Sequence, residues 1–268
     1  MLDLIDNLPP GARVLDLGAR TGSFTTSRTD LHIVRLDLEV VPGRKAGWYV
    51  SGDAARMPFA AAAFDVVVSN HSLEHFLELE ATVREIGRVI KPGGALYLAV
   101  PDATTLTDRI YRWLGKGGGH VNAFGYPREV PELVERVTGL KLRSTTVLFS
   151  SLSFLNARNF TSRPPRKIAL FAFGNERFLA VLLHVLRSMD WLLHTRLSVY
   201  GWSYYFGNTT RPERGEAWPN VCVRCGSGSP VEYLQSVKAV RLSYGVRSYN
   251  CPVCGAMNLL FIRNITLS

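Results

Sequence analysis

Four cysteines stand as two pairs, Cys222-Val-Arg-Cys225 followed by Gly226 and Cys251-Pro-Val-Cys254 followed by Gly255. Two intervening residues let both thiolates of a pair reach one ion. The glycine after each pair permits a tight turn whose N–H groups face sulfur. About 25 residues separate the pairs, close to the spacing of a four-Cys zinc ribbon. Four thiolates make a closed, structural Zn2+ site with no open position for catalysis. Redox cysteines are the alternative this pattern leaves open. Between the pairs, Val237-Lys-Ala-Val-Arg-Leu242 and Val246-Arg-Ser-Tyr249 alternate like hairpin strands.

A second constellation lies near the N-terminus, in Arg13-Val-Leu-Asp-Leu-Gly-Ala-Arg-Thr-Gly-Ser-Phe24. Val14, Leu15 and Leu17 read as a short parallel strand buried on both faces. The run breaks at Gly18, Ala19 and Gly22. A strand entering such a turn and then a helix gathers backbone N–H groups and a helix N-terminus at one spot, which suits an anionic or polar cofactor. A turn that merely packs a strand on a helix is the other reading. Asp37 closes a second apolar run, His32-Ile-Val-Arg-Leu-Asp37, about 20 residues further on, where an acid can accept hydrogen bonds from a ribose diol.

The series continues with Trp48-Tyr-Val-Ser51, Gly52-Asp53-Ala54, Met57-Pro-Phe59, Phe64-Asp-Val-Val-Val-Ser-Asn70 and His71-Ser-Leu-Glu-His-Phe76. Glu85-Ile-Gly-Arg-Val-Ile-Lys-Pro-Gly-Gly94 and the strand Ala95 to Val100 complete it. In this order the motifs resemble the class I S-adenosylmethionine-dependent methyltransferases, within the broad subgroup related to the ubiquinone and menaquinone biosynthesis enzymes. The resemblance covers roughly residues 10 to 150.

It implies an α/β fold, a doubly wound Rossmann-like seven-stranded sheet whose last strand is antiparallel. It also implies S-adenosylmethionine as cofactor, with Asp16, Gly18, Ala19, Arg20 and Gly22 in the first cofactor motif. Asp37 becomes the ribose-binding acid, and Asp53 with Ala54 sits near the adenine amino group. Asn70 and His71 fall under the sulfonium, facing the acceptor. A base is needed only where the acceptor must lose a proton. His71 and His120 are the candidates, while His75 reads as structural. Arg20 stands where the family usually has a second glycine. It either fills the pocket or swings outward to pair with the cofactor's carboxylate, and the surviving glycines favour the second. If it fills the pocket, the chain is a non-catalytic zinc-ribbon binding protein with a degenerate methyltransferase domain.

The elements that must position these residues follow from the same text. A lead-in helix is expected over 1–12, strands near 13–17, 31–37, 48–51, 64–69 and 94–100, and helices near 22–29 and 77–90. The crossover after Asp37 is short where the family places a full helix, which leaves the adenine pocket more open. Lys91-Pro-Gly-Gly94 stops the second helix. Thr104 to Tyr126 reads as a mobile loop, followed by a helix over 127–138 and a strand over 140–149. Arg166 to Val199 reads as one or two amphipathic helices inserted between the sixth and seventh strands, serving as core cover, a lid or a membrane-surface contact. Tyr200 to Gly207 is the expected last strand. The domains so predicted are a methyltransferase domain over 1–210, with its helical insertion at about 155–198, and a zinc ribbon over 218–268.

At 268 residues, 47% hydrophobic and 20% charged, the chain has the composition of an ordinary globular protein. Met1-Leu-Asp-Leu-Ile-Asp6 carries acids where a secretory signal carries Lys or Arg, so no targeting sequence and a cytoplasmic location are expected. No run of about 18 uncharged apolar residues occurs, which argues against a transmembrane segment. The net charge of +9 favours an anionic partner or is simply a solvated basic surface. The acceptor is left open among a small molecule, a glycan or lipid-linked intermediate with peripheral membrane contact, and RNA.

Overall fold

The computed structural model describes residues 1–39, 46–114, 119–159, 175–209, 219–243 and 245–263. It divides into two compact units. The first comprises Met1–Ala103, Gly119–Thr146 and Gly201–Glu216; the second comprises Thr104–Gly118, Val147–Tyr200 and Ala217–Ser268.

The seven-stranded sheet runs β3-β2-β1-β4-β5-β7-β6. Its strands are β1 (Arg13–Leu17), β2 (His32–Asp37), β3 (Trp48–Ser51), β4 (Phe64–Asn70), β5 (Ile90–Pro101), β6 (Leu142–Phe149) and β7 (Val199–Gly207). β1 pairs in parallel with both β2 and β4, whereas β7 runs antiparallel to β5. Val14, Leu15 and Leu17 of β1 and Val66, Val67 and Val68 of β4 are fully buried, as continuous apolar runs in the middle of a parallel sheet should be. This is the doubly wound, Rossmann-like arrangement the sequence leads one to expect.

Among the helices of this unit, α2 (Leu79–Val89) buries Thr82, Val83, Ile86 and Val89 on one side. It passes directly into β5, which already begins at Ile90 and carries Pro92 and Gly93 within it. α4 (Glu129–Thr138) ends on the left-handed Gly139. The lead-in helix α1 is only Leu2–Asp6.

Two expectations need correction. No helix forms between β1 and β2, where one was expected near 22–29. Ser23, Thr25, Thr26, Ser27 and Thr29 carry hydroxyls that compete for nearby backbone groups and weaken a helix. Arg28 ties the segment down instead, donating to Asp6 O at 2.7 Å and Leu8 O at 2.9 Å. Conversely, α3 (Leu106–Leu114) forms where a loop was expected. Leu106, Ile110 and Leu114 recur at helical spacing, and the latter two pack on the core of the second unit. Positions 115–118 of that expected loop lie outside the described residues. So do 40–45 of the short crossover and 160–174 of the insertion.

The second unit is built around α5 (Glu176–Leu193), whose Leu179, Ala180 and Leu183 pack with Leu152, Leu155 and Val223. The opposite face leaves Val181, Val185 and Leu192 exposed. Asp190 is buried and caps the turn after the helix, accepting the N–H groups of Leu197 at 2.6 Å and Ser198 at 2.7 Å. After the short α6 (Val231–Ser236), β8 (Val240–Ser243), β9 (Val246–Asn250) and β10 (Met257–Leu259) form a three-stranded antiparallel sheet. Asn220 fastens the chain end: its amide donates to Phe261 O and accepts from Phe261 N, each at 2.8 Å. No helix among the described residues is long and apolar enough to cross a membrane.

Candidate functional site

The carboxyl ends of β1, β2 and β3 enclose a cavity of about 430 Å³, within the usual range for small-molecule sites. Gly18, Arg20, Asp37, Gly52, Asp53 and Ala54 line it, together with Leu36, Leu38, Ser72, His75, Phe76, Leu77, Glu78 and Thr82. Gly18 has φ +68°, and a Cβ there would lie 2.4 Å from that of Ser72, so only glycine fits. The Ser72 hydroxyl donates to Leu17 O at 2.9 Å and holds the strand end beneath.

The turn's own N–H groups are turned inward. Gly18 N and Ala19 N donate to Leu36 O at 2.9 and 3.2 Å. Arg20 N donates to Asp37 Oδ2 at 2.8 Å, and Ser23 N to Asp16 Oδ2 at 2.9 Å. The expected cradle of ligand-facing N–H groups with a helix N-terminus behind it is therefore replaced by something different. The wall includes Asp37 and Asp53 and the apolar residues Leu36, Leu38, Ala54 and Phe76. Asp53 is itself steadied, accepting from Ala55 N and Arg56 Nη1 at 2.9 Å each. Arg20 is an exposed residue with φ 43°, and the cavity keeps its volume with Arg20 in its wall.

Of the residues singled out in the sequence, Asp16, Ala19, Gly22, Asn70, His71 and His120 stand outside that lining. Asp16 is fully buried and pairs with Arg35, whose side chain is also buried. Arg35 went unremarked in the sequence, because a lone arginine in a strand reads as solvent-facing. Glu74 was legible only as part of the His71–Phe76 segment, and His75 was read there as structural.

Those two belong to a tight group. Leu73–His75 forms a single 3-10 turn. Val121 N and Asn122 N donate to Glu74 O at 2.9 and 3.0 Å, and the Asn122 amide donates to Leu73 O at 3.1 Å and Phe76 O at 2.7 Å. His75 Nδ1 lies 2.9 Å from Gly119 O, and the rings of His75 and His120 meet edge to face with centroids 4.9 Å apart. His71, in left-handed backbone at φ 55°, has its pKa pushed down to about 4, by burial first and then by His120 and His75. It is a neutral imidazole at neutral pH.

In the second unit the four sulfurs come together. Cys222 Sγ lies 3.5 Å from Cys254 Sγ and Cys225 Sγ 3.6 Å from Cys251 Sγ, with all four within 4.8 Å of one another. Tetrahedral Zn–S bonds of about 2.3 Å place sulfurs about 3.8 Å apart, so this cluster could hold one ion. Gly226 and Gly255, at φ 74° and 72°, close the two knuckle turns. Arg224 N and the Asn258 amide donate to Cys222 Sγ at 3.4 and 3.5 Å. Burial pushes the Cys222 and Cys225 thiols up, so binding a cation here would release protons.

In a doubly wound sheet, a ligand-sized cavity at the carboxyl edge is where folds of this kind bind their ligands. Comparison with known proteins gives the family. The methyltransferase domain family model matches residues 15–98. Malonyl-[acyl-carrier protein] O-methyltransferase of Methylococcus capsulatus is 31% identical over 185 residues, which cover 60% of this chain and 67% of that one. Demethylmenaquinone methyltransferase of Beutenbergia cavernae is 37% identical over 98 residues, 34% of this chain and 41% of that one. The chain thus spans about two fifths of the length of that relative. Among solved structures, a proposed methyltransferase from Bacillus halodurans shares the fold with a TM-score of 0.50 at 19% identity, covering 77% of this chain and 96% of that one. The chain belongs to the methyltransferase domain family and is an S-adenosylmethionine-dependent methyltransferase.

Proposed function

We propose that the cavity at the ends of β1, β2 and β3 holds S-adenosylmethionine. The observation that carries this is its wall, which contains Asp37 and Asp53 while the turn's N–H groups are spent on the chain itself. Such a wall suits a ligand that brings hydrogen-bond donors and positive charge. Asp37 takes the ribose hydroxyls, its carboxylate fixed by Arg20 N. Asp53 takes the adenine amino group beside Ala54, and the apolar side chains cover the ring. Asp16 acts as a positioning residue through Arg35 and Ser23. Arg20, exposed at the rim, pairs with the cofactor's carboxylate.

The cofactor supplies an electrophilic methyl carbon on a cationic sulfur, and transfer needs chiefly an aligned nucleophile. Ser72, His75 and Phe76, at and beside the Leu73–His75 turn, line the cavity. His71 is the candidate to take a proton if the acceptor must lose one, although its lowered pKa makes it a weak base. We read the acceptor as a small molecule or a carrier-borne one. Calorimetric titration with S-adenosylmethionine tests the cofactor site: one site per chain is expected, and the absence of binding overturns the assignment.

The same reading makes the four-cysteine cluster a structural zinc site. Four sulfur donors at near-tetrahedral spacing, with N–H groups directed at sulfur, support it. The ion would stabilise residues 219–263 and leave the chemistry to the sheet edge.

A further inference from the structure

We propose that Glu74, His75 and His120 form a site for a divalent first-row cation at the rim of the cofactor cavity, where it takes an oxygen of the methyl acceptor. Ligand atoms of all three lie within 4.8 Å of one another. One carboxylate with two imidazoles is a donor set that first-row divalent ions accept on one face, leaving the other face open.

Three features make the set more than a coincidence of polar residues. The first is burial: Glu74 is 1% exposed, so a cation held beside its carboxylate would be screened little by water. The second is the tautomer of His75. Gly119 O can only accept, so Nδ1 carries the proton and the Nε2 lone pair is left for a metal. A ring N–H given to a backbone carbonyl is the usual support behind a metal-bound histidine. The third is preorganisation. The turn that carries Glu74 and His75 is stitched to residues 121–122 by four hydrogen bonds, so His120 is delivered to it without further ordering.

His75 belongs both to this set and to the cavity wall, so a cation held here would stand beside the bound cofactor. An acceptor hydroxyl or carboxylate held there would be aligned by its oxygen. A hydroxyl would also ionise more readily, its proton leaving to water. The acceptor class is therefore an oxygen nucleophile, a step that rests on the cofactor reading above. The cation site itself does not.

The test uses the full chain with its cysteine cluster loaded with zinc, so that thiolates do not compete, titrated with MnCl2 and followed by the loss of the free Mn2+ paramagnetic resonance signal. One Mn2+ per chain is expected. Glu74→Gln and His120→Ala should each weaken binding at least tenfold, on the scale of lost metal ligands and their supports. His75→Ala, at an exposed position, repeats the test where Glu74→Gln fails to fold. Wild-type protein that leaves the Mn2+ signal unchanged overturns the site, as do variants that bind like wild type. A chain that binds Mn2+ but not S-adenosylmethionine upholds the site and overturns the cofactor reading; the reverse result does the opposite.

Discussion

Arg35 reaches beneath the Gly-rich turn to Asp16, and neither side chain sees solvent beyond 1%. The guanidinium also donates to Phe24 O at 3.0 Å and to Ala46 O at 3.1 Å, and it sits 4.8 Å above the Phe24 ring. One strand thus holds the turn of its neighbour in place, and the segment between them needs no helix to do so. Removing one partner strands a buried charge. Arg35→Met should therefore destabilise the fold by about 3–5 kcal/mol, read as a lower midpoint in urea. Asp16→Asn combined with Arg35→Met should cost clearly less than the sum of the two single changes.

Gly18→Ala should be among the most damaging single-methyl additions in the chain. The new Cβ meets Ser72 at 2.4 Å in left-handed backbone, two penalties of roughly 1–3 kcal/mol each. Thermal unfolding measures it. Pairing it with Ser72→Gly should recover the steric part and leave the backbone part.

Asp37→Asn keeps the shape of the cavity wall and removes its charge. Hydrogen bonds to a charged group contribute about 1.5–3 kcal/mol, so the Kd for S-adenosylmethionine should rise roughly ten- to hundredfold while the unfolding midpoint moves little. Calorimetry beside thermal unfolding separates the two.

Glu176 clasps Arg224 through both its oxygens, and the Arg224 hydrogen bonds hold the Glu176 carboxyl below its ordinary range. A depressed carboxyl pKa adds stability that is full above the unfolded value, near 4.5, and is lost as pH falls through the lower folded value. Protease resistance of the second unit should therefore decline on acidification below about pH 4.5. Glu176→Gln should flatten that decline and lower the plateau above it.

Chelation of the metal should expose residues 219–263 to protease before the rest of the chain, because three short strands and one helical turn bury little apolar surface alone. Metal analysis should show one zinc released per chain. Uniform resistance after complete removal would speak against a structural ion.

Much of this was legible in the residues. The parallel strands β1 and β4 are apolar on both faces, and the cysteine knuckles announce their geometry by spacing. The carboxylates at Asp37 and Asp53 fall where strands end. Less legible were features that depend on partners distant in the chain. The helix expected over 22–29 fails because hydroxyl-rich residues are tied to α1 by Arg28, which no local pattern reveals. α3 was hidden because its stripe of Leu106, Ile110 and Leu114 is short and closely followed by glycines. Glu74 and His120 lie 46 positions apart, and only the fold brings them together.

The inward-turned amides of the Gly-rich loop have one more consequence. A pyrophosphate, as in a nicotinamide dinucleotide, would find no cradle of free turn amides at this strand end and would lie beside Asp37 and Asp53, with Arg20 the one arginine in the wall. The loop therefore offers an anion a single guanidinium and no amide cradle, which disfavours nucleotides whose phosphates need several donors.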